Sequence, residues 1–216
     1  MSDSHADDPW DEFRWERFLQ EQEQRTEKYM ELFDKYMNHP QRDEMIAKEM
    51  GWKHIVEDEA EWEDDFDEAD CEEDEDFEEE GSEPAKPFKF ERNPLYRATL
   101  AFNGELDELL DRLPPAAREH PAMNTLATQV TLATAKLAAA LNDEDLEEIG
   151  MNIAYLKRAL HALNTSLDAV VQLGEHNVVD TETVERLRSG VFAIRNDIVT
   201  ITGEYRAEFR RRHGNS

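Results

Sequence analysis

Between Asp180 and Arg212, Val184, Leu187, Val191, Ile194, Ile198, Ile201 and Tyr205 follow one another at steps of three and four residues without a break. That spacing sets all seven side chains on one stripe of an α-helix. A stripe of this length must be covered by other helices, and three earlier segments carry matching ones. Leu95, Phe102, Leu106, Leu109 and Leu113 form the first. Met123, Leu126, Val130, Ala133, Leu137 and Ala140 form the second, on a segment rich in Ala and Thr that a neighbour can approach closely. Leu146, Ile149, Ile153, Leu156, Leu160, Leu163, Leu167 and Val170 form the third. The punctuation agrees with four helices. Asn93-Pro94 is an N-cap with Pro at the first helical position, Pro114-Pro115 a stop, His120-Pro121 a start, and Gly174 a stop. Asp180 or Thr181 caps the last helix, and the basic FRRRH turn suits its C-terminal dipole.

Short connections make successive helices antiparallel neighbours, and the seven-residue period implies coiled-coil-like packing near 20°. The expected fold is therefore all-α. An up-down four-helix bundle occupies the C-terminal half, preceded by one or two amphipathic helices and an acidic, largely disordered linker. The corresponding domains are residues 1–56, 57–92 and 93–216.

In the N-terminal arm, Pro9 and acidic Asp11 and Glu12 open a helix on which Trp15, Phe18, Leu19, Tyr29, Phe33 and Tyr36 lie near one face. His39-Pro40 breaks it. A second helix is expected from Gln41, with Met45, Trp52, Ile55, Trp62, Phe66 and Ala69 in one register and Gly51 weakening its middle. Order is expected to decay between about Val56 and Asp70, where like charges at i,i+4 oppose the helix.

Charge divides the chain sharply. The formal net charge is −28. Residues 57–92 carry 3 Lys/Arg against 20 Asp/Glu, whereas residues 93–216 carry 13 against 18. Glu57 to Glu83 holds 19 acidic residues in 27 and no basic one, with Trp62, Phe66 and Phe77 interleaved. Such blocks act as solvating or interaction segments, and acidic-hydrophobic stretches can settle into a partner's basic, apolar groove. Trp62, Phe66 and Phe77 are accordingly the candidate partner-binding residues. Docking of the same aromatics on the chain's own helices is an equally weighted alternative. A chain this acidic is repelled by nucleic-acid phosphates and anionic membranes, so a basic protein surface is the expected partner and direct nucleic-acid or membrane binding is not. Homo-oligomerisation is a further possibility.

No motif points to a cofactor or a metal. Glu-x-x-His pairs of a di-iron bundle are missing before His120, His161, His176 and His213. The acidic tract lacks the spaced ligands and turn glycine of an EF-hand. The lone Cys71 allows no intrachain disulfide and no thiol metal site, which fits a reducing compartment. No apolar run approaches the ~20 residues of a membrane span and no signal peptide is present, so a cytoplasmic protein is expected.

Arg195-Asn196 followed four residues later by Thr200 resembles the Arg-Asn-x-x-x-His motif of HEPN-type four-helix ribonucleases. Thr200 stands where that motif has its catalytic histidine. Arg206 and His213 form a second Arg-to-His pairing of looser spacing, and the alternative to a non-enzymatic adaptor is an RNA-cleaving bundle using Arg195, Asn196, Arg206 and His213. Nucleic-acid mimicry by the acidic tract is a variant of the adaptor reading.

Overall fold

The structure is a computed structural model that describes residues 9–52, 88–142, 146 and 148–214. Every regular element in these residues is helical: α1 (Glu12–Tyr36), α2 (Arg42–Met50), a 3-10 turn (Lys89–Arg92), α3 (Pro94–Arg112), α4 (Pro115–Arg118), α5 (Pro121–Ala140), α6 (Ile149–Glu175) and α7 (Thr181–His213). The chain divides into two compact units. One comprises residues to Glu16 together with Lys86 onward, and the other runs from Arg17 to Ala85.

In the first unit, the ends of the long helices form where side chains satisfy orphan backbone groups. Asn93 Oδ1 accepts from the Leu95 amide at 2.9 Å, His120 Nδ1 from Ala122 at 3.2 Å and Asp180 Oδ1 from Thr183 at 2.7 Å. The end of α6 departs from expectation. Asn177, not Gly174, takes the left-handed conformation at φ 51°. Val178 donates to the Leu173 carbonyl and Asn177 to that of Gly174, closing the two-bond C-terminal motif. Gly174 stays inside the helix, with Val184 side-chain carbons 3.5 Å from where its β-carbon would stand.

Helices α5 and α6 pack most extensively, α6 also packs along α7, and α3 lies against both α5 and α7. Between them sits one hydrophobic core. Met123, Leu126, Val130, Ala133, Leu137 and Ala140 of α5 are fully buried, as are Val191 and Ile198 of α7. Burying each large apolar side chain contributes about 1.5–3 kcal/mol. Asn103 donates to Thr134 at 2.6 Å, tying α3 to α5.

The α6 stripe is rotated from the one its leucines suggest. Leu156, Ala159, Ala162, Leu163, Ser166, Ala169, Val170 and Leu173 are buried, while Leu160 and Leu167 lie at the core margin. Four of these buried residues are small, and backbones can come close where neither side carries bulk. The Ser166 hydroxyl is satisfied by donating to the Ala162 carbonyl at 3.0 Å. Leu146 lies outside α6, with φ 51°.

In the second unit, α2 ends at Met50. Gly51 adopts φ 77°, donates to Lys48, and lets Trp52 donate to Ala47. Gly51 is therefore the helix stop and not a weak middle, because glycine takes the left-handed conformation without steric cost. Ile55, Trp62, Phe66 and Ala69, expected in the same register, lie outside the described residues. Among its described residues Leu32, Ile46 and Ala47 are buried, and Tyr29 stacks on Trp52 with centroids 5.9 Å apart. Glu49 accepts from Lys35 at 2.9 Å and from the Tyr36 hydroxyl, closing the pair of helices.

Candidate functional site

The most elaborate polar constellation in the first unit lies where the chain's beginning meets α6 and α7. Asp11 caps α1: its Oδ1 accepts from the amides of Phe13 at 3.1 Å and Arg14 at 2.8 Å. The helix thus starts at Glu12, later than Pro9 suggests, because the carboxylate of Asp11 meets the orphan amides. Glu12 and Glu16, one turn apart, then project onto the same side.

Each meets an arginine in two-pronged geometry. Arg206 of α7 donates through Nε and Nη2 to Glu12 at 2.9 and 2.8 Å. Arg158 of α6 donates to Glu16 at 3.2 and 3.1 Å. Lys157 Nζ stands 3.8 Å from Glu12 and 4.8 Å from the centroid of the Phe13 ring. The Glu12 side chain is only 11% exposed, so its charge is weakly screened and the bidentate match matters. Trp10 and Trp15 pack with centroids 5.0 Å apart, and Arg14 covers Trp10 at 4.2 Å.

Beside these pairs is a cavity of about 260 Å³ lined by Asp11, Glu12, Phe13, Ile153, Arg206, Phe209 and Arg210. Phe13 is 64% exposed at its rim. The end of α7 below it is strongly basic: residues 206–213 contain four arginines against the single acid Glu208. Arg211 and Arg212 both bond Glu208 and hold its carboxyl down to about 2, while Arg212 also reaches the Leu146 carbonyl at 2.9 Å. Arg210 has no carboxylate partner among the described residues. The arrangement is suited to receiving an apolar side chain flanked by negative charge. It brings together no nucleophile and base. Among the described residues no cluster of three or more His, Cys, Asp or Glu could hold a metal. No helix among them is long and apolar enough to cross a membrane.

The candidate partner-binding residues Trp62, Phe66 and Phe77 lie outside the described residues. The groups of the RNA-cleaving alternative are placed separately. Arg195 donates to Asn164 of α6 at 3.0 Å, and the Asn196 carbonyl accepts from Thr200. Arg206 is held by Glu12, and His213 packs on Phe209 with centroids 4.9 Å apart. Arg195 and His213 stand on one helix about 27 Å apart along its axis, so they do not share a site.

Sequence reasoning missed the Glu12 and Glu16 pairings. Their only local signal is the i,i+4 repeat of acid just after a capping Asp, since both arginine partners lie more than a hundred positions away. Comparison with protein-family models, with curated proteins and with solved structures finds no match for this chain.

Proposed function

We propose that the protein is a non-enzymatic interaction or adaptor protein. Its C-terminal half is read as an up-down four-helix bundle, supported by the cycle of neighbours α3–α5–α6–α7–α3. This body anchors the acidic segment 57–92, whose Trp62, Phe66 and Phe77 contact a basic surface on a partner. One observation carries the reading: residues 57–92 hold −17 of the chain's −28. Charge of that density raises the rate of encounter with a basic surface, and interleaved aromatics supply apolar anchors once contact is made. Because the single cysteine allows no intrachain disulfide, we place the protein in a reducing compartment, the cytoplasm.

Affinity capture from native lysate tests the reading, using the full chain, a chain lacking residues 57–84, and a Trp62→Ala/Phe66→Ala/Phe77→Ala chain that keeps every charge. The expected result is one set of basic proteins retained by the full chain, lost with the deletion and depleted with the aromatic variant. Unchanged retention by the deleted chain sinks the proposal. Displacement of captured proteins by oligonucleotide would assign the segment to nucleic-acid mimicry, and resistance to it would assign adaptor binding.

A further inference from the structure

We propose that the arginine-rimmed cavity at the end of α7 is a docking site for the acidic aromatic segment of a second copy of this chain. The inference rests on the reading of that segment as one that seeks basic surfaces. Its independent support is the chemistry of the cavity.

At about 260 Å³ the cavity is below the ~300–1,000 Å³ usual for small-molecule sites and has room for about one large side chain. Its walls offer Phe13, Ile153 and Phe209 as apolar surface. Its lining holds two carboxylates and two cations. Glu12 is matched by Arg206 and Asp11 by the amides of Phe13 and Arg14, which leaves Arg210 as the cation open to an occupant. Arg211 and Arg212, on the same helical turns, are bonded to Glu208. Arg206 is already turned toward Glu12, whereas Arg210 is exposed and has no carboxylate partner among the described residues. A matching occupant is therefore an aromatic side chain with carboxylates immediately around it. Residues 61–68, EWEDDFDE, are such a sequence: two aromatics four positions apart and six acids. The remainder of residues 93–216 is mildly acidic, so this basic turn is a local exception on its own surface. Charge complementarity selects the tract over any neutral peptide, and an exposed phenylalanine at the rim favours aromatic contact. Every copy supplies both the cavity and the tract.

Sedimentation velocity of the full chain over a range of concentrations, at low and high salt, tests the proposal. The expected result is concentration-dependent self-association that weakens with salt. Arg210→Glu, an exposed change that leaves the fold intact, should weaken it about tenfold. The full-length Trp62→Ala/Phe66→Ala chain, which keeps all charge, should weaken it comparably. A synthetic peptide of residues 58–70 should compete with the association, and its double-alanine form should not. A single monomeric species at every concentration in low salt overturns the proposal, as does self-association that survives Arg210→Glu. Either result leaves the capture of a foreign basic protein untouched, so failure here is distinguishable from failure of the adaptor reading.

Discussion

Gly150, in the first turn of α6, lies directly against the carbonyl oxygen of Trp10, so a β-carbon at this position would collide with the backbone of residues 10 and 11 and press on the Trp15 ring. The obstacle is backbone and cannot rotate away. Gly150→Ala should therefore destabilise by about 1–3 kcal/mol. It should also move the emission of Trp10 and Trp15 toward that of solvated indole. Gly104, mid-helix in α3, has nothing within 4 Å of its missing β-carbon. Gly104→Ala should leave stability unchanged or raise it by about 1 kcal/mol. Thermal melts of the two variants compare a close approach with a helix-propensity effect in one protein.

The two arginine clamps differ in exposure, and their contributions should differ accordingly. Side chains of Arg158 and Glu16 are 12% and 23% exposed, whereas Arg206 is 44% exposed. Arg158→Ala should cost about 1–2 kcal/mol, between the values for surface and buried pairs. Arg206→Ala should cost less, about 1 kcal/mol or under, because Lys157 stays 3.8 Å from the largely buried Glu12 carboxylate and Arg206 itself is partly solvated, so a part fades in high salt. Double-mutant cycles with Glu16→Gln and Glu12→Gln isolate each pairing. A larger coupling for the Glu12 pair would show that bidentate geometry outweighs solvent screening.

Leu156 and Leu160 are one turn apart, yet Leu156 is fully buried and Leu160 sits at the core margin. Leu156→Ala should cost about 2–5 kcal/mol, from lost transfer energy and a residual cavity, and Leu160→Ala clearly less. Overfilling the small-residue face should also be costly. Ala159→Leu is expected to lose about 1–3 kcal/mol because Ala159 is fully buried in the core and the helices around it cannot move away without opening their own contacts. Urea denaturation of the three variants checks the order.

The carboxyl of Glu208, held down to about 2 by Arg211 and Arg212, predicts a specific acid response. Its ordinary value is 4.5, so the unfolded chain takes up a proton there before the folded chain does. The stabilisation is complete above about 4.5 and disappears as pH falls toward about 2. Melts of the parent and Glu208→Gln chains should differ by a constant amount from neutral pH to about 5, then converge. The group is partly exposed, so the difference should shrink in high salt. A gap that persists at the lowest pH would mean the arginines are not what Glu208 contributes through.

Local rules determined much of this protein. The stripe of α5 is buried throughout, and those of α3 and α7 are buried along their middles, with Leu113, Val184, Ile201 and Tyr205 at the core margin, because one arc of each helix faces the core. Asn93 and Asp180 cap where their side chains can reach free amides, and His39-Pro40 ends α1. Glycine at position 51 and asparagine at 177 stop helices for a reason also local, the left-handed conformation, although the choice of Asn177 over Gly174 was not legible from residue type alone.

Only the tertiary structure decided the orientation of α6. Apolar residues cover a wide arc of this helix, so periodicity alone is compatible with several rotations. Packing against α5 and α7 selects the one that buries Ala159, Ala162, Ser166 and Ala169 and leaves Leu160 and Leu167 at the edge. The same holds for the candidate site. Glu12 with Arg206, Glu16 with Arg158, and Gly150 beneath Trp10 join residues far apart in the chain. Local patterns reflect neighbours within a few turns, whereas these contacts arise only after the helices have packed and brought distant charges within a few ångströms.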